Sequence, residues 1–373
     1  MTTRARQVVL VGAGHAHLHV IQHVAEFARH QAHVVLIDPG PFWYSGMATG
    51  MLAGQYPCDE DRIDPAPLIE RRGGTYIRDR VVALDTDQRV VVTALGQSIP
   101  YDVVSLNIGS EVPAEQIAGG TEHAWPVKPI AGLCRLRDRL ITLYQDTPNP
   151  RIVVGGGGAT GCEIAASIES LASRHHTSAH ITLANAADRL IPAWPAGAAR
   201  ALERELRRRG ISVIHNCRIT RCASDHVLTD DGRRIDSDRT ILATGLRAPQ
   251  MLPQLPLPSD AVHGLLVNTC LQSIADPAVF GAGDCIHFGD QPLPKVGVYG
   301  VRAGPVLRHN LLAHLTGKRL QPYKPQRNYL IILNLGRGRA LAMRGRWWWL
   351  GRWPLRLKHW IDQRFMQAQR RLA

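Results

Sequence analysis

The chain has 373 residues and a formal net charge of +13 at pH 7, with 45% hydrophobic and 20% charged residues. This length allows two domains with hydrophobic cores, and the composition excludes an intrinsically disordered chain. The positive charge predicts an acidic partner, either nucleic acid or an anionic membrane surface.

The first predicted element is the segment VVLVGAGHAHLHVI (residues 8–21), an apolar strand followed by a tight turn and a helix that begins near His15. Gly12 permits the sharp turn, and Gly14 lets the backbone approach a pyrophosphate at the start of the helix. A second strand ends at Asp38, whose carboxylate can accept hydrogen bonds from ribose hydroxyls. This order of elements predicts a dinucleotide-binding βαβ unit.

Three histidines alternate in this loop and helix, at positions 15, 17 and 19. On a helix, His15 and His19 lie one turn apart while His17 points elsewhere, so the three cannot converge on one ion. We therefore predict no metal site. His17 stands where the third glycine of GxGxxG is usual, and its imidazole requires extra space or a polar partner.

The second unit, RIVVGGGGATGCEIAASIESLA, has the full fingerprint as Gly156, Gly158 and Gly161. Its second strand ends at Asn185, where an acidic residue is usual for NAD. Asparagine does not repel a 2′-phosphate as a carboxylate does, and nearby Arg189 is placed to meet one. The residues favour NADH and leave NADPH open.

Two later segments read as strands that end in tight turns. DRTILATGLRAP carries Thr244 and Gly245, and PAVFGAGDC carries Gly283 and Asp284. Together with the two loops they predict an α/β fold with two Rossmann-like dinucleotide-binding domains, the second inserted in the first, and a C-terminal amphipathic helical segment. The predicted boundaries are 1–120 with 263–325, 121–262, and 326–373.

The order of these loops and turns resembles the FAD-dependent pyridine nucleotide-disulfide oxidoreductase superfamily. The strings GAGHAHLHVI, YSGMATGMLAGQY, SLNIGS, LPKVGVYGVRAGPVL and KHWIDQRFM span nearly the whole chain. They are similar to type II NADH dehydrogenases and, more closely, to the flavoprotein half fused to some bacterial selenide, water dikinases. The resemblance implies an enzyme that takes hydride from NAD(P)H and passes electrons to a membrane quinone or another small-molecule acceptor.

Two alternatives stay open. One is a flavoenzyme that acts on a small selenium or sulfur compound, and the other is a flavin-bound partner protein without enzymatic activity.

The resemblance also implies roles for particular residues. Glu163 matches a glutamate beside the isoalloxazine, although the first turn of a helix also favours an acid for its dipole. Lys295 matches a lysine whose cation stabilises reduced flavin. Asp38 would hold the adenosine ribose and Asp284 the ribityl chain. The further contacts implied are Gly12, Gly14, His15, Ala16, Val82, Asn107 (through its backbone), Gly109 and Gly283 for FAD, and Gly156, Gly158, Gly161, Asn185, Thr244 and Gly245 for NADH or NADPH.

The chain departs from the family pattern at its cysteines and at the quinone side. Its seven cysteines lack CxxC and CxxxxC spacing, which predicts reduced thiols and no dithiol relay. Cys162 and Cys285 are predicted to be small buried residues. The two glutamine positions of the quinone stretch hold Val298 and Ala303, so the quinone is inferred from the resemblance and the tail.

The tail, residues 343–373, has eight Lys or Arg against one acid, and five of the eight tryptophans. Pro354 suits the first turn of a helix, on which Leu357, Trp360, Ile361, Phe365, Ala368 and Leu372 form an apolar stripe, with Arg356, Lys358 and Asp362 away from its centre. This pattern predicts a basic amphipathic helix at a headgroup interface. A dimerisation or core-packing helix is the alternative, and nucleic acid is disfavoured because no nucleic-acid-binding fold is recognisable. The predicted membrane contacts are Trp347, Trp348, Trp349, Trp353, Arg356, Lys358 and Trp360.

No signal peptide or membrane-spanning helix is expected, since a strand is predicted by Gln7 and no apolar run reaches about 18 residues. The expected location is cytoplasmic and peripheral, on the inner face of the cytoplasmic membrane. A homodimer is possible.

Overall fold

A computed structural model describes residues 5–290 and 292–371. These residues form ten α-helices and 24 strands. Helices α1 to α10 span His15–Ile21, Val24–Arg29, Ser45–Leu52, Pro65–Glu70, Gly120–His123, Ala131–Asp146, Ala159–Arg174, Ala196–Arg208, Gly297–Thr316 and Arg352–Arg370. Strands β1 to β24 span Arg6–Val11, Ala32–Ile37, Phe42–Trp43, Arg62–Ile63, Thr75–Ile77, Val81–Asp85, Val90–Thr93, Ser98–Pro100, Val103–Leu106, Ala124–Pro126, Arg151–Gly155, His180–Ala184, Ser212–Ile214, Ile219–Cys222, His226–Thr229, Arg234–Asp236, Arg239–Leu242, Ser259–Asp260, Gly264–Val267, Val279–Gly281, Ile286–Phe288, Leu330–Asn334, Ala340–Arg344 and Trp347–Gly351.

Two parallel five-stranded sheets organise the chain. The first has the order β20-β9-β1-β2-β5 and the second the order β10-β17-β11-β12-β13. Their central strands are buried and largely apolar, as is typical of parallel sheets covered by helices on both faces, and Ser105 in β9 is a buried polar exception. The strands of the second sheet lie in sequence between β9 and β20 of the first. The predicted α/β fold with two Rossmann-like units is confirmed, while the residue boundaries stay a prediction.

Helix α3 joins the two units. It packs on α6 and α7 of the second unit, where Met51 and Leu52 enter the hydrophobic core. Met47, one turn earlier, belongs to the core of the first unit. Because one helix is buried in both cores, its polar residue Thr49 is held at the junction between the sheets.

The C-terminal segment 326–373, of which the tail is the last part, contains a sheet as well as the predicted helix. Strands β22, β23 and β24 form an antiparallel meander, so Trp347, Trp348 and Trp349 lie on a strand. The helix after it, α10, includes Pro354 in its first turn, as expected. Leu372 of the predicted stripe lies outside the described residues. Within the described ranges, no helix combines the length and the apolar character needed to cross a bilayer.

The rotation of α10 corrects one prediction. Lys358, expected at the membrane, points inward, where its Nζ donates to the Gly46 carbonyl at 2.6 Å and pairs with Asp362 at 3.1 Å. Asp362 is buried and also accepts from the Tyr44 hydroxyl at 3.1 Å. These partners stabilise a charged pair inside the protein, which the apolar stripe alone does not reveal.

The expectation of reduced thiols is wrong for one pair. Cys58, which follows α3, forms a disulfide with Cys134 on α6. The two are 76 residues apart in sequence, so no local spacing pattern marks them. Cys162 and Cys285 are buried free thiols, as predicted.

Candidate active site

The first glycine loop is built around Asn107, at the end of β9. Gly12 has φ +86°, and a Cβ there would lie 2.7 Å from the Asn107 carbonyl oxygen. A Cβ on Gly14 would lie 2.3 Å from Asn107 Oδ1. That oxygen accepts hydrogen bonds from the backbone N–H of Ala16 at 3.0 Å and of His17 at 3.3 Å. The Asn107 side chain therefore holds the start of α1, a role beyond the expected backbone contact.

His17 has the polar partners that its position requires. The side chain is fully buried, with Nδ1 2.6 Å from the Gly12 carbonyl oxygen and Nε2 2.8 Å from Ser105 Oγ. Burial lowers the pKa of His17 to about 4, so the ring is neutral at pH 7. The histidine thus stabilises the loop by hydrogen bonding where other chains have a glycine.

We expect His17→Gly to lower the free energy of unfolding by about 2–4 kcal/mol, because it leaves a cavity and removes both hydrogen bonds. The free energy of unfolding of the wild type should also decrease as the pH is lowered from 6.5 to about 4, because His17 binds a proton in the unfolded state and stays neutral in the folded state. Urea unfolding across pH measures both effects. His33→Ala is the control, since His33 makes a similar 2.8 Å bond to Thr75 at an exposed site. Equal stability losses in the two variants would contradict this role.

Asp38 and Val82 occupy different environments. Asp38 Oδ2 accepts from the Ala13 N–H at 2.7 Å, and Oδ1 accepts from the Gly40 N–H at 2.9 Å. Burial raises the pKa of this carboxyl, and the two backbone bonds oppose the rise. Val82 is exposed on β6. Asp38 is therefore at the loop, as a ribose ligand requires, while Val82 has no contact that assigns it a role.

Asp284 lies at the centre of a charged cluster at the ends of β9, β10 and β20. Its Oδ2 accepts from Ser110 Oγ at 2.7 Å and from Lys128 Nζ at 3.0 Å. Burial would raise the pKa of this carboxyl, but Lys128 and the two hydrogen bonds hold it below its ordinary value. Lys295 Nζ donates to the backbone carbonyls of Asp284 and His263. Two ammonium groups therefore contact Asp284. We call Ser110, Lys128, Asp284 and Lys295 the Asp284 cluster.

Ser110 and Lys128 were missed by the sequence analysis. Ser110 ends the quoted string SLNIGS, but Lys128 follows a short strand with no fingerprint of its own. Gly109 and Gly283 flank the cluster, and both have positive φ, at +76° each. The turns that place Asp284 beside Lys128 thus depend on glycine.

The second glycine loop borders a cavity of about 600 Å³. This volume lies within the range of small-molecule sites. Thr244 and Gly245 face the loop from the end of β17, and Asn185 from the end of β12. The predicted residues that line the cavity are Gly156, Gly158, Asn185, Thr244 and Gly245.

Asn185 and Gly161 shape this cavity in different ways. The Asn185 side chain donates to the Ala187 carbonyl and meets His215 Nδ1, each at 2.9 Å. A Cβ on Gly161 would lie 1.7 Å from the Gly156 carbonyl oxygen. Gly161 is therefore the residue that lets α7 pack against the loop, while Asn185 lines the cavity with its side chain held by Ala187 and His215.

Glu163, on α7, lies where α3, α7, β22 and α10 meet. Its Oε1 accepts from the Asn334 N–H at 2.6 Å and from Thr49 Oγ1 at 3.3 Å. Burial raises the pKa of Glu163 to about 7, opposed by Lys358 and these hydrogen bonds. The group of Glu163, Thr49, Asn334, Lys358 and Asp362 is called the Glu163 cluster. The structure places Glu163 and Lys295 in separate clusters.

Aromatic rings connect the two clusters. His15 packs edge-on against Phe42, with ring centroids 4.8 Å apart, and lies 5.9 Å from Phe365 of α10. Phe365 stacks on Tyr44 at 4.3 Å, and Tyr44 donates to Asp362. Burial lowers the pKa of His15 to about 4, with Lys128 adding to the effect and Asp284 opposing it. His15 is thus a neutral residue between the Asp284 cluster and the tail.

The residues present fit two dinucleotides. Each loop has a glycine at a φ that other residues rarely adopt, Gly12 at +86° and Gly156 at +118°. A side chain at either position would collide with neighbouring backbone. Asp38 and Asn185 stand at the ends of the paired second strands, where ribose ligands belong.

Similar proteins were found by sequence. The type II NADH:quinone oxidoreductase of Haemophilus influenzae is 25% identical over 264 residues, which are 62% of this chain and 60% of that protein. The assimilatory nitrate reductase electron transfer subunit of Bacillus subtilis is 23% identical over 86% of this chain and 40% of its own length. The chain therefore spans about half the length of the curated relatives it matches.

Solved structures share the fold. The sulfide:quinone oxidoreductase of Aquifex aeolicus has a TM-score of 0.83 at 17% identity, covering 99% of this chain and 92% of that one. NDH2 from Plasmodium falciparum, in complex with NADH, has a TM-score of 0.82 at 13% identity, covering 96% and 97%.

A family model described as pyridine nucleotide-disulphide oxidoreductase matches residues 6–304. The match includes both glycine loops, Glu163 and the Asp284 cluster. It confirms the predicted enzyme class, an oxidoreductase with FAD and a nicotinamide nucleotide as cofactors. The chain belongs to the pyridine nucleotide-disulphide oxidoreductase family.

Proposed function

We propose that this enzyme oxidises NADH or NADPH and passes the electrons to a quinone at a membrane surface. The observation that carries the proposal is the position of Glu163. It lies on the helix that begins at the nucleotide loop, and it contacts β22 of the C-terminal segment 326–373, on which α10 of the tail packs. The nucleotide side and the tail side of the molecule therefore meet at one titratable group.

When bound, FAD supplies a reversible acceptor for hydride and a donor of electrons. The chain positions the reactants: the 600 Å³ cavity would hold the nicotinamide nucleotide, and the first loop and Asp38 would hold FAD. Lys128 and Lys295 put positive charge beside Asp284, which stabilises negative charge that develops nearby. Glu163, with a pKa of about 7, can hold a proton at neutral pH. Both of its hydrogen bonds are accepted by Oε1, which leaves Oε2 available to hold that proton.

Anaerobic stopped-flow mixing tests this proposal. The oxidised holoenzyme is mixed with NADH or NADPH, and then with a soluble quinone analogue, while flavin absorbance is followed. We expect bleaching by a nicotinamide and recovery with the quinone. A flavin that stays oxidised with both nucleotides but is bleached by selenide or sulfide would replace the proposal with the selenium or sulfur alternative.

The outer surface of the tail supports membrane binding. Six large apolar side chains there are between 39% and 86% exposed: Trp347, Trp348, Trp349, Trp353, Leu357 and Trp360. Arg356 stacks on Trp353 at 4.8 Å and Arg364 on Trp360 at 5.4 Å. Indole rings beside cations suit an anionic headgroup layer. The cytoplasmic location and the homodimer stay predictions.

We expect the triple variant W353S/L357S/W360S to lose binding to anionic liposomes while it keeps its flavin. These side chains point away from the protein, so the loss is confined to the surface contact. Co-sedimentation with phosphatidylglycerol vesicles measures it. Truncation before Arg344 is a poorer test, because it also removes Met366, which is buried in the first core.

The control is the triple variant L95S/V262S/I274S. It removes three exposed apolar side chains outside the tail, which are 78%, 52% and 57% exposed. This variant should sediment with vesicles like the wild type. Equal binding by both triple variants would contradict a membrane role for the tail.

A further inference from the structure

A cluster of three metal-ligating side chains lies outside the glycine loops and the Glu163 cluster. Asp260 ends β18, His263 lies in the following turn, and His287 lies on β21. One ligand atom from each residue lies within 4.8 Å of the other two. Each residue is partly exposed, so a dissolved ion can reach the group.

The backbone holds the three residues in a fixed arrangement. β18 pairs with β19, and β19 pairs with β21, in one three-stranded sheet. Gly264, directly after His263, has φ +108°, and a Cβ there would lie 2.1 Å from the Cys285 carbonyl oxygen. The turn that carries His263 is therefore pressed close to the strand that carries His287.

The Asp260 carboxylate is held in place by the turn, since its Oδ1 also accepts from the backbone N–H of Val262 at 2.9 Å and of His263 at 2.7 Å. His263 Nδ1 and Asp260 Oδ1 are 2.9 Å apart, close to the edge of about 3.3 Å in a tetrahedral zinc site. His287 Nδ1 is buried and has no hydrogen-bond partner among the residues that the structure describes. A buried nitrogen without a partner is unfavourable unless an ion or water satisfies it.

We propose that Asp260, His263 and His287 bind a divalent zinc ion. Two imidazoles and one carboxylate form a donor set that zinc accepts, with water in the remaining position. The ion takes the place of the hydrogen between His263 Nδ1 and Asp260 Oδ1, and the neutral imidazole carries its proton on Nε2 instead. The proposal replaces the sequence-based expectation of no metal site.

The site touches the redox region through one bond. Lys295 Nζ donates to the backbone carbonyl of His263 at 3.1 Å. Zinc would therefore fix the turn that carries His263. The carbonyl of this residue is one of the two backbone carbonyls that accept from Lys295. The ammonium also adds positive charge nearby, so binding should be weaker than at a structural site with thiolate ligands.

Zinc titration of the chelator-treated holoenzyme tests the proposal. The metal is measured by elemental analysis after gel filtration and by calorimetry, without reductant, because Cys58, Cys134 and Asp138 form another candidate group once the disulfide is reduced. We expect one zinc per chain. Affinity should fall about tenfold or more in His263→Ala, His287→Ala and Asp260→Asn.

His226→Ala is the matched control. His226 Nδ1 is 2.7 Å from Asp225 Oδ1, a similar pair, but the structure brings no third ligand to it within the described ranges. This variant should bind zinc like the wild type. If His287→Ala does not fold, the His263 and Asp260 variants carry the test, together with a rise in the wild-type melting temperature with zinc but not with magnesium. No bound zinc, or binding unchanged in the ligand variants, would overturn the proposal.

Discussion

Glu163→Gln should slow turnover with a quinone acceptor by about a hundredfold, which is the usual contribution of a positioned acid or base. Glutamine keeps the size of the side chain but cannot release or take up a proton. The electron transfer from NADH to the flavin should be less affected, since hydride transfer requires no proton from the protein. Steady-state and stopped-flow rates separate the two steps.

The dependence of the quinone-reduction rate on pH shows which protonation state of Glu163 is active. The pKa of Glu163 is raised to about 7 by burial, so the group is protonated below that pH and charged above it. If the protonated form supplies a proton to the acceptor, the wild-type rate falls as pH rises through 7. The Glu163→Gln variant should lose this pH dependence altogether.

Thr49 provides an internal check on this assignment. Its hydroxyl donates to Glu163 and favours the charged carboxylate. Thr49→Val removes that bond, so the pKa should rise and the falling limb should move to higher pH. Glu122→Gln, at an exposed site on α5, is the control and should keep the wild-type profile. An unchanged profile in Glu163→Gln would exclude Glu163 as the proton donor.

Gly161→Ala should destabilise the second unit by roughly 3–5 kcal/mol, a size seen when a core substitution has no room. The added Cβ would lie 1.7 Å from the Gly156 carbonyl oxygen, so the helix and the loop must separate. That loop borders the 600 Å³ cavity, and nucleotide binding should weaken with it. Urea unfolding and the KM for NADH measure the two effects.

Gly158 offers the matched comparison within the same loop. It has φ −73° and no atom within 4 Å of an added Cβ. Gly158→Ala should therefore keep wild-type stability, although it lines the cavity and still alters the KM. Similar unfolding curves for the two alanine variants would show that α7 does not need the third glycine.

The parts of the fold that could be predicted from the sequence are those formed by residues adjacent in the chain. A strand, a glycine turn and a helix are adjacent in sequence, so the loops at Gly12 and Gly156 were recognisable from local pattern. The resemblance to a family also predicted roles for Glu163 and Asp284, and these roles stay predictions. The match over residues 6–304 bears out that family.

Contacts between residues far apart in the sequence could not be predicted from such local patterns. The Cys58–Cys134 disulfide and the Lys128–Asp284 pair join residues far apart in the chain, and no spacing rule predicts them. The apolar stripe does not predict the rotation of α10, because Lys358 and Asp362 lie away from its centre and are nevertheless buried as a pair. A buried ion pair with Lys358 turns that side of the helix toward α3.

The hydrogen bond between His17 and Ser105 has a consequence for how such chains diverge. The two side chains share one enclosed space, so a change at either position alters what the other can be. In relatives with glycine at position 17, we expect a bulkier or apolar residue at position 105, acquired together with it. A sequence pattern that requires three glycines therefore misses chains with histidine at position 17, although their loop folds in the same way.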